Sequence, residues 1–453
     1  MGLLLENKQE KNIRPIHYLG SKLRILDKIK SAIDYVDSTG GTMCDLFAGS
    51  GTVATYMAQY RNIVAVDIQE YSKILCEASL KEIQKPVDSE EIINAILNHP
   101  KTKLLNECFN GLISYENESF INAVEGKPYD LYEIIEKGSI YAFTETHQNK
   151  DFSKNLYFVL DKLQNKLDKY NLSSSKEIMI TRYFGGIYFS YKQALMMDFI
   201  ANVISEQSGL LKTKMLAALL STASEVVNTI GKQFAQPLKV KKKDGKLKLS
   251  LLKKIFLDRS FNVIEIYSRW MEYYLNCGYS IDKSKVICTD YVEALDLLKK
   301  SNISVIYADP PYTRYHYSRY YHVLETICLH DNPRISTTFP GGKGGLSRGM
   351  YRENRHQSPF CIKSKAEQAF NQLFEKVCAL DVPLVLSYSP FNENSKEAPR
   401  VEKISELTTL ANRYYNKVEV IDINDFAHSK LNQTEKNFEK YTNSESLIVC
   451  TQR

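Results

Sequence analysis

The sequence predicts an α/β protein with a mostly parallel, doubly wound sheet and a largely helical segment inserted into it. Two consecutive units near the start support this prediction, because the apolar runs 42–47 and 62–67 each precede a turn and a helical pattern. Similar strand patterns return later, at 285–290, 305–312, 382–390 and 445–450. The stretch 85–284 lacks this alternation and consists of long helical patterns.

We therefore expect a sheet domain assembled from 1–84 and 285–453 around a helical insertion, 85–284. Residues 21–36 have apolar side chains at helical spacing and predict an amphipathic helix. The strongest helical patterns of the insertion are at 191–207 and 210–231. The run 238–252 alternates apolar and basic residues around Asp244-Gly245, which predicts a β-hairpin.

Composition excludes several classes of protein. With 43% hydrophobic and 25% charged residues over 453 positions, the chain is neither disordered nor fibrous. Apolar runs are too short for a bilayer span and the N-terminus is too short for a secretory signal, so we expect a cytoplasmic protein without a membrane. The nine cysteines include no C-x-x-C pair and predict buried free thiols. His316 and His322 have no pattern of metal ligands beside them, so no metal is expected.

A glycine loop follows the first strand. Gly49 and Gly51, after Asp45, allow a tight turn and a close approach of the backbone to a nucleotide-like ligand. Asp67 ends the next strand, where a carboxylate can accept hydrogen bonds from both ribose hydroxyls. These features fit a dinucleotide or S-adenosylmethionine, while a turn without any ligand is the alternative.

The segment ADPPY, 308–312, follows the apolar strand that begins near residue 303. Two prolines after Asp309 keep the chain extended and remove two backbone donors. The Asp309 carboxylate and the Pro310 carbonyl are then two acceptors for the hydrogens of a planar exocyclic NH2 group. Pro311 continues the turn, and Tyr312 offers a ring on which a base could stack. The alternative is a strand-ending turn with a solvated aspartate.

Three segments together resemble the amino-methylating DNA methyltransferases, in the group that includes the Dam-like adenine methylases. HYLGSKLRILDKI (17–29) resembles the family's N-terminal motif, DLFAGSGTVA (45–54) its cofactor loop, and ADPPY its catalytic motif. The resemblance implies a Rossmann-like methyltransferase fold in which the inserted segment recognises the target. It also implies a catalytic group of Asp309, Pro310, Pro311 and Tyr312.

The resemblance further implies S-adenosylmethionine as cofactor and a set of residues that bind it. Tyr18, Gly20, Ser21, Lys22, Asp45 and the backbone of Ala48, Gly49, Ser50 and Gly51 would hold its methionine end, Asp67 would bind its ribose and Asp290 its adenine. Phe47 and Ile68 belong to the same predicted cofactor-binding set. Asp290 rests on a looser pattern, and a helix-capping aspartate is the alternative there.

Two basic regions are candidates for contact with DNA phosphates. The lysine-rich run 239–254 contributes Lys241, Lys242 and Lys243, and the segment 331–365 contributes Lys343, Arg348, Arg352 and Arg355. For both regions the alternative is a solvated surface. The tyrosines of 313–326 fit either an aromatic cage or core packing, since Tyr317, Tyr320, Tyr321 and Leu324 recur at helical spacing.

We therefore expect a site-specific methyltransferase that acts on adenine N6 in duplex DNA by base flipping, in a restriction-modification or phage-defence system. A cognate restriction endonuclease or another defence subunit is a candidate partner. Cytosine N4 in DNA and adenine N6 in RNA are alternative substrates. A nucleic-acid-binding subunit that has lost turnover is an alternative from another class.

Overall fold

We describe the chain from a computed structural model, which covers residues 14–146, 152–279, 283–337, 345–389, 401–423 and 445–452. The chain divides into two compact units. The first consists of Met1–Ile83, Asn276–Ser318 and His356–Arg453, and the second of Gln84–Leu275 and Arg319–Arg355. This division differs from the predicted segments at 276–284 and 319–355. The assignment of the two units to catalysis and target recognition stays a prediction.

Within the described residues, the first unit contains a seven-stranded sheet. Its strands are β1 (Thr42–Asp45), β2 (Ile63–Asp67), β3 (Ser284–Cys288), β4 (Ile303–Ala308), β5 (Leu384–Tyr388), β6 (Lys417–Ile423) and β7 (Glu445–Thr451). Their spatial order is β3-β2-β1-β4-β5-β7-β6. The neighbours from β3 to β5 are parallel, whereas β7 is antiparallel to both β5 and β6. The sheet confirms the predicted α/β class.

Both faces of this sheet are buried. Met43 and Val305 enter one apolar core, while their chain neighbours Cys44 and Ile306 enter a second. Successive side chains of a strand point to opposite faces, so a strand covered on both faces needs a continuous apolar run. This requirement explains why these strands were recognisable from the sequence.

The helices of the first unit are α1 (Leu26–Val36), α2 (Thr52–Met57), α3 (Glu70–Leu80), α14 (Tyr291–Leu298), α17 (Lys363–Cys378) and α18 (Ile404–Ala411). Helix α1 buries Leu26, Ile29 and Ile33, as its apolar spacing predicted. It follows a short 3-10 helix, Leu23–Ile25. This arrangement places the N-terminal motif directly before a helix that packs on the sheet.

Strand β6 was not predicted. It lies at the edge of the sheet, and Val420 and Ile421 remain 42% and 38% exposed. An edge strand with a solvent-exposed face does not need a continuous apolar run. The sequence of β6, KVEVIDI, therefore gives a weak strand signal.

The second unit is mostly helical in its described part. Its helices are α4 (Ser89–Leu97), α5 (Pro100–Val124), α6 (Tyr129–Lys137), α7 (Ile140–Thr146), α8 (Lys154–Lys169), α9 (Met179–Phe184), α10 (Tyr191–Ser205), α11 (Gly209–Val226), α12 (Leu252–Ser260), α13 (Val263–Asn276) and α16 (His322–Leu329). The short helix α15 (Tyr317–Tyr320) crosses the boundary in the chain. Most residues of α10 and α11 are buried, and both helices were predicted with ends that differ by a few residues.

The predicted hairpin at 238–252 forms as a turn with little strand around it. The amide of Gly245 donates to the Lys242 carbonyl at 3.1 Å, and a single antiparallel bridge joins Lys241 and Leu247. The flanking apolar residues, among them Leu238 and Val240, enter a small helical core instead of extending a ladder. Packing on helices therefore replaces the cross-strand pairs that a longer hairpin would need.

Candidate active site

The candidate site lies at the carboxyl ends of the parallel strands in the first unit. Strand β1 stands between β2 and β4, and its last residue, Asp45, is in register with Tyr307, just before Asp309. Ligands of doubly wound sheets bind at this switch point in the strand order. An open cleft of about 770 Å³ occurs there.

The cleft brings together part of the predicted set. Its walls include the predicted residues Tyr18, Phe47, Asp67, Ile68, Asp290, Asp309 and Pro311. They also include Tyr317, for which an aromatic cage and core packing were the two alternatives, and residues that were not predicted, among them Tyr291, His356, Ser358, Pro359 and Phe360. Residues 356–360 carry no recognisable motif, so sequence reasoning had no signal by which to find them.

The glycine loop after β1 is held by Asp67. The amide of Gly49 donates to one Asp67 carboxylate oxygen at 2.9 Å, and the amide of Gln69 donates to the other at 2.9 Å. Gly49 has a φ of +56°, and a Cβ there would lie 2.6 Å from the Tyr18 hydroxyl oxygen. Burial raises the pKa of Asp67, while hydrogen bonds from these amides, the Ile68 amide and the Ser72 hydroxyl lower it, and its role at the ribose hydroxyls stays a prediction.

The other amides of this loop serve its own folding. The amide of Ala48 donates to the Val66 carbonyl, and that of Gly51 donates to the Ala48 carbonyl. The Ser50 hydroxyl pairs with that of Thr52 at 2.8 Å. The Ala48, Gly49 and Gly51 amides thus already donate within the protein, and the contact of this backbone with a cofactor stays a prediction.

Asp45 is a buried carboxylate with little hydrogen bonding among the described residues. Its side chain is 1% exposed, no side-chain donor reaches its oxygens, and the Ala54 amide is the backbone group that favours its ionised form. Burial, with the negative charges of Asp309 and Asp67 nearby, raises the pKa of Asp45 to about 8. Such a group favours a cationic or donor-rich ligand. The ammonium of S-adenosylmethionine has that character, so the residues present fit the predicted cofactor.

Asp309 follows β4 directly and pairs with Lys22. The Lys22 ammonium lies 3.1 Å from an Asp309 oxygen and 3.0 Å from an oxygen of Glu445, which begins β7. Lys22 is 4% exposed, and the two carboxylates raise the pKa of Lys22 despite its burial, which acts in the opposite direction. The Lys22 ammonium is thus placed between two carboxylates, and its predicted role in holding the cofactor stays a prediction. Glu445 was not predicted.

The aromatic rings around Asp309 differ in exposure. Tyr312 is 5% exposed, and its ring packs against Tyr388 at 5.3 Å between centroids. The base-stacking face predicted for Tyr312 is therefore covered in this structure. Tyr18 and Tyr317 line the cleft with ring centroids 5.6 Å apart, so they offer accessible aromatic surface beside the catalytic motif.

A second aromatic group lies at the other predicted end of the cofactor site. Phe47 packs edge-on against Phe360 at 5.4 Å and against Tyr291 at 5.7 Å. Asp290 lines the cleft and also caps α14, because its carboxylate accepts the Val292 amide at 2.9 Å. The alternative of a helix-capping aspartate is therefore confirmed for one carboxylate oxygen of Asp290. The role of Asp290 in binding the cofactor stays a prediction.

The remaining N-terminal motif residues lie near the catalytic motif. Gly20 has a φ of +74°, and a Cβ there would lie 3.4 Å from the Tyr317 hydroxyl oxygen. The buried Ser21 hydroxyl has no hydrogen-bond partner among the described residues. Neither residue lines the cleft itself.

The predicted DNA-binding residues in the second unit fall into two groups. Arg352 forms a partly buried ion pair with Asp331 at 2.6 Å, and Lys241 pairs with Glu136 at 3.0 Å. Arg348 donates to the Leu238 carbonyl. Lys242 and Lys243 are exposed, and Lys343 lies outside the described residues. Lys241, Arg348 and Arg352 are therefore already paired with groups of the protein itself.

Arg355 belongs to an arginine pair that was only half predicted. The guanidinium groups of Arg355 and Arg319 lie 4.9 Å and 5.1 Å from the centroid of the same ring, that of Tyr351. Burial lowers the pKa of Arg355, and the positive charge of Arg319 adds to that effect. Two neighbouring cations of this kind favour an anionic ligand.

Other predictions concern thiols, metals and membranes. All nine cysteines are free, and Cys44, Cys76, Cys108, Cys361 and Cys450 are buried. Within the described ranges, no group of three or more histidine, cysteine, aspartate or glutamate side chains is placed to hold a metal ion. The described helices include none with the length and hydropathy needed to cross a bilayer.

Comparison with known proteins gives several matches. Residues 18–107 match the family of D12 class N6 adenine-specific DNA methyltransferases. The chain is 25% identical to modification methylase LlaI of Lactococcus lactis subsp. lactis, over 88% of this chain and 49% of that protein. It is 27% identical to the type II methyltransferase M.FokI of Planomicrobium okeanokoites, over 80% of this chain and 43% of that protein.

A third relative matches over most of its length. The chain is 23% identical to the type II methyltransferase M.NlaIII of Neisseria lactamica, over 86% of this chain and 88% of that protein. The chain spans about half the length of LlaI and slightly less of M.FokI. These findings confirm the resemblance predicted from the sequence: this chain is similar to the D12 class of N6 adenine-specific DNA methyltransferases.

Proposed function

We propose that the chain transfers a methyl group from S-adenosylmethionine to N6 of adenine in duplex DNA, within a restriction-modification or phage-defence system. The observation that carries the proposal is the position of Asp309, which lines the cleft directly after β4 and next to the glycine loop. The similarity of residues 18–107 to an adenine-specific family supports the choice of adenine.

The cofactor site we propose uses two carboxylates and two aromatic side chains. Asp45 would pair with the ammonium of the methionine moiety, and Asp67 would accept hydrogen bonds from the ribose hydroxyls. Phe47 and Phe360, which pack against each other edge-on, would line one side of the adenine. Bound S-adenosylmethionine supplies an activated methyl group on a sulfonium, so the protein's task is to place the acceptor nitrogen and stabilise its charge.

The acceptor site we propose is built on Asp309. An adenine inside a duplex cannot present N6 to a bound donor, so the base must be flipped out, at a cost of a few kcal/mol. Tyr317 would stack on the flipped base. Asp309 would accept one amino hydrogen and the Pro310 carbonyl the other, which makes the nitrogen lone pair available. Asp309 also stabilises the positive charge that develops on nitrogen.

The DNA contacts we propose lie on the second unit. Lys242, Lys243 and the pair Arg319 and Arg355 would contact phosphates, whereas Lys241 and Arg352 pair with carboxylates and Arg348 donates to a carbonyl of the protein. A cognate endonuclease is the partner expected in a restriction-modification system. The cytoplasm is the compartment we propose, because it holds bacterial DNA.

The test is a transfer assay with radiolabelled S-adenosylmethionine on duplex DNA of varied sequence and on structured RNA. Nucleoside analysis of the product then separates N6-methyladenine from N4-methylcytosine. Label on adenine of duplex DNA supports the proposal, and label on cytosine or RNA alone selects an alternative substrate. Cofactor binding without transfer to any polynucleotide would contradict the enzyme and favour the inactive subunit.

A further inference from the structure

Glu445 lies behind the catalytic motif, on the far side of Lys22. The Lys22 ammonium bridges the Asp309 and Glu445 carboxylates at 3.1 Å and 3.0 Å. Exposure falls along this chain of charges, from 19% for the Asp309 side chain to 4% for Lys22 and 1% for Glu445. The cation is therefore shared between one carboxylate at the cleft and one inside the protein.

The sheet fixes the position of Glu445. Its main chain pairs with Ile423 in β6, and the next residue, Ser446, pairs with Tyr388 in β5. The Ser387 hydroxyl donates to the Glu445 oxygen at 2.7 Å. A side chain anchored in this way is an immobile partner for a long lysine side chain, which otherwise has considerable rotamer freedom.

Lys22 has two opposite effects on Asp309. Its positive charge stabilises the ionised carboxylate, which catalysis needs as an acceptor. If Asp309 were the only partner of the Lys22 ammonium, the ammonium would draw the Asp309 carboxylate toward itself. The carboxylate would then be a weaker acceptor for the amino group of the base. A second anion at 3.0 Å divides the ammonium's hydrogen bonds and charge between two partners.

We propose that Glu445 is a positioning residue for methyl transfer, which acts through Lys22 to set the place and acceptor strength of the Asp309 carboxylate. This inference rests on the proposed methyltransferase function. It assigns a role in the reaction to a residue of β7, outside the motifs that carry the family resemblance.

The inference is tested by a double-mutant cycle on the full chain, with Glu445→Gln and Lys22→Met made singly and together. Single-turnover transfer is measured at saturating donor and DNA, with donor Kd and melting temperature measured separately. We expect Glu445→Gln to slow transfer by about 10- to 100-fold, while donor Kd changes less than about threefold. In the Lys22→Met background the same change should alter the rate less than about threefold.

Equal loss of rate from Glu445→Gln in both backgrounds would overturn the inference, because Glu445 would then act without Lys22. Unchanged transfer by Glu445→Gln in an active protein would also overturn it and leave the proposed function intact. A wild-type chain that methylates no polynucleotide overturns both.

Glu445→Asp provides a second test of the inference if Lys22→Met does not fold. It retains the negative charge at a shorter reach, so we expect transfer at least about threefold faster than in Glu445→Gln. Equal rates in these two variants would contradict a role through charge. Ser387→Ala is the matched control: it removes the hydroxyl that anchors Glu445 but leaves all three charges, and it should reduce transfer less than Glu445→Gln does.

Discussion

Asp45 should release a proton when the chain binds S-adenosylmethionine. Burial and the nearby charges of Asp309 and Asp67 raise the pKa of Asp45 to about 8, so the carboxyl is mostly protonated at pH 6.5 in the free protein. If Asp45 pairs with the ammonium of the methionine moiety, it must be ionised in the complex. Binding below pH 8 then includes loss of this proton.

The size of the effect follows from the pKa of Asp45. Each pH unit below that pKa costs about 1.4 kcal/mol, or about tenfold in donor Kd. Between pH 6.5 and 7.5 the donor Kd should therefore fall about eightfold. Burial lowers the pKa of His356 and raises the pKa of the Cys44 and Cys76 thiols, which moves the titration of these three groups away from this window.

The same group affects stability without ligand. The pKa of Asp45 is higher in the folded than in the unfolded chain, so the folded state binds more protons between about pH 4 and pH 8. Its contribution to the free energy of unfolding is full below the unfolded-state pKa and is lost as the pH rises toward 8. Asp45→Asn should weaken donor binding and reduce this pH dependence of the melting temperature.

The assay is calorimetric titration of the donor at pH 6.5 in buffers of different ionisation enthalpy. The slope of observed enthalpy against buffer enthalpy should report about one proton released by the wild type and close to none by Asp45→Asn. An absence of proton release in the wild type would refute the reasoning, as would an unchanged pH dependence of donor Kd in the variant.

Three further predictions concern other parts of the site. Asp309→Ala should reduce transfer at least about 100-fold with donor Kd within a few-fold, and surviving activity in the transfer assay would refute the catalytic assignment. Gly49→Ala should weaken donor binding about tenfold, because a Cβ at φ +56° is strained and would lie 2.6 Å from the Tyr18 hydroxyl oxygen; calorimetry measures it, and unchanged affinity would contradict it. Replacing Lys242 and Lys243 by glutamine should lower the slope of log K against log salt for DNA by about 1.8 in fluorescence titrations, and an unchanged slope would mean a solvated turn.

Matched substitutions serve as controls for these measurements. Glutamine at the exposed Lys28 and Lys85 removes the same charge as the lysine pair and should leave the salt slope of DNA binding unchanged. Asp309→Asn keeps the volume of the side chain, so equal inactivity of the alanine and asparagine variants would attribute the loss to charge.

Local patterns were sufficient for much of the fold and of the site. Strands β1, β2, β4 and β5 have apolar runs because both faces of the sheet are buried there, and β6 was missed because its edge position leaves it exposed. The segment 319–355 was assigned to the sheet domain because it follows the catalytic motif in the chain. In the structure, residues 319–355 belong to the helical unit, because the units are defined by contacts in space and not by order along the chain.

The sequence by itself determined which carboxylates stand at the ends of strands, since an acid or a Pro-Pro turn after an apolar run is a local pattern. Tertiary structure alone decided that Lys22 and Glu445, 423 positions apart, meet beside Asp309, and that Tyr312 is covered while Tyr317 lines the cleft. Such neighbours depend on strand order and register. These are fixed by the packing of the whole sheet and leave no trace in the residues on either side.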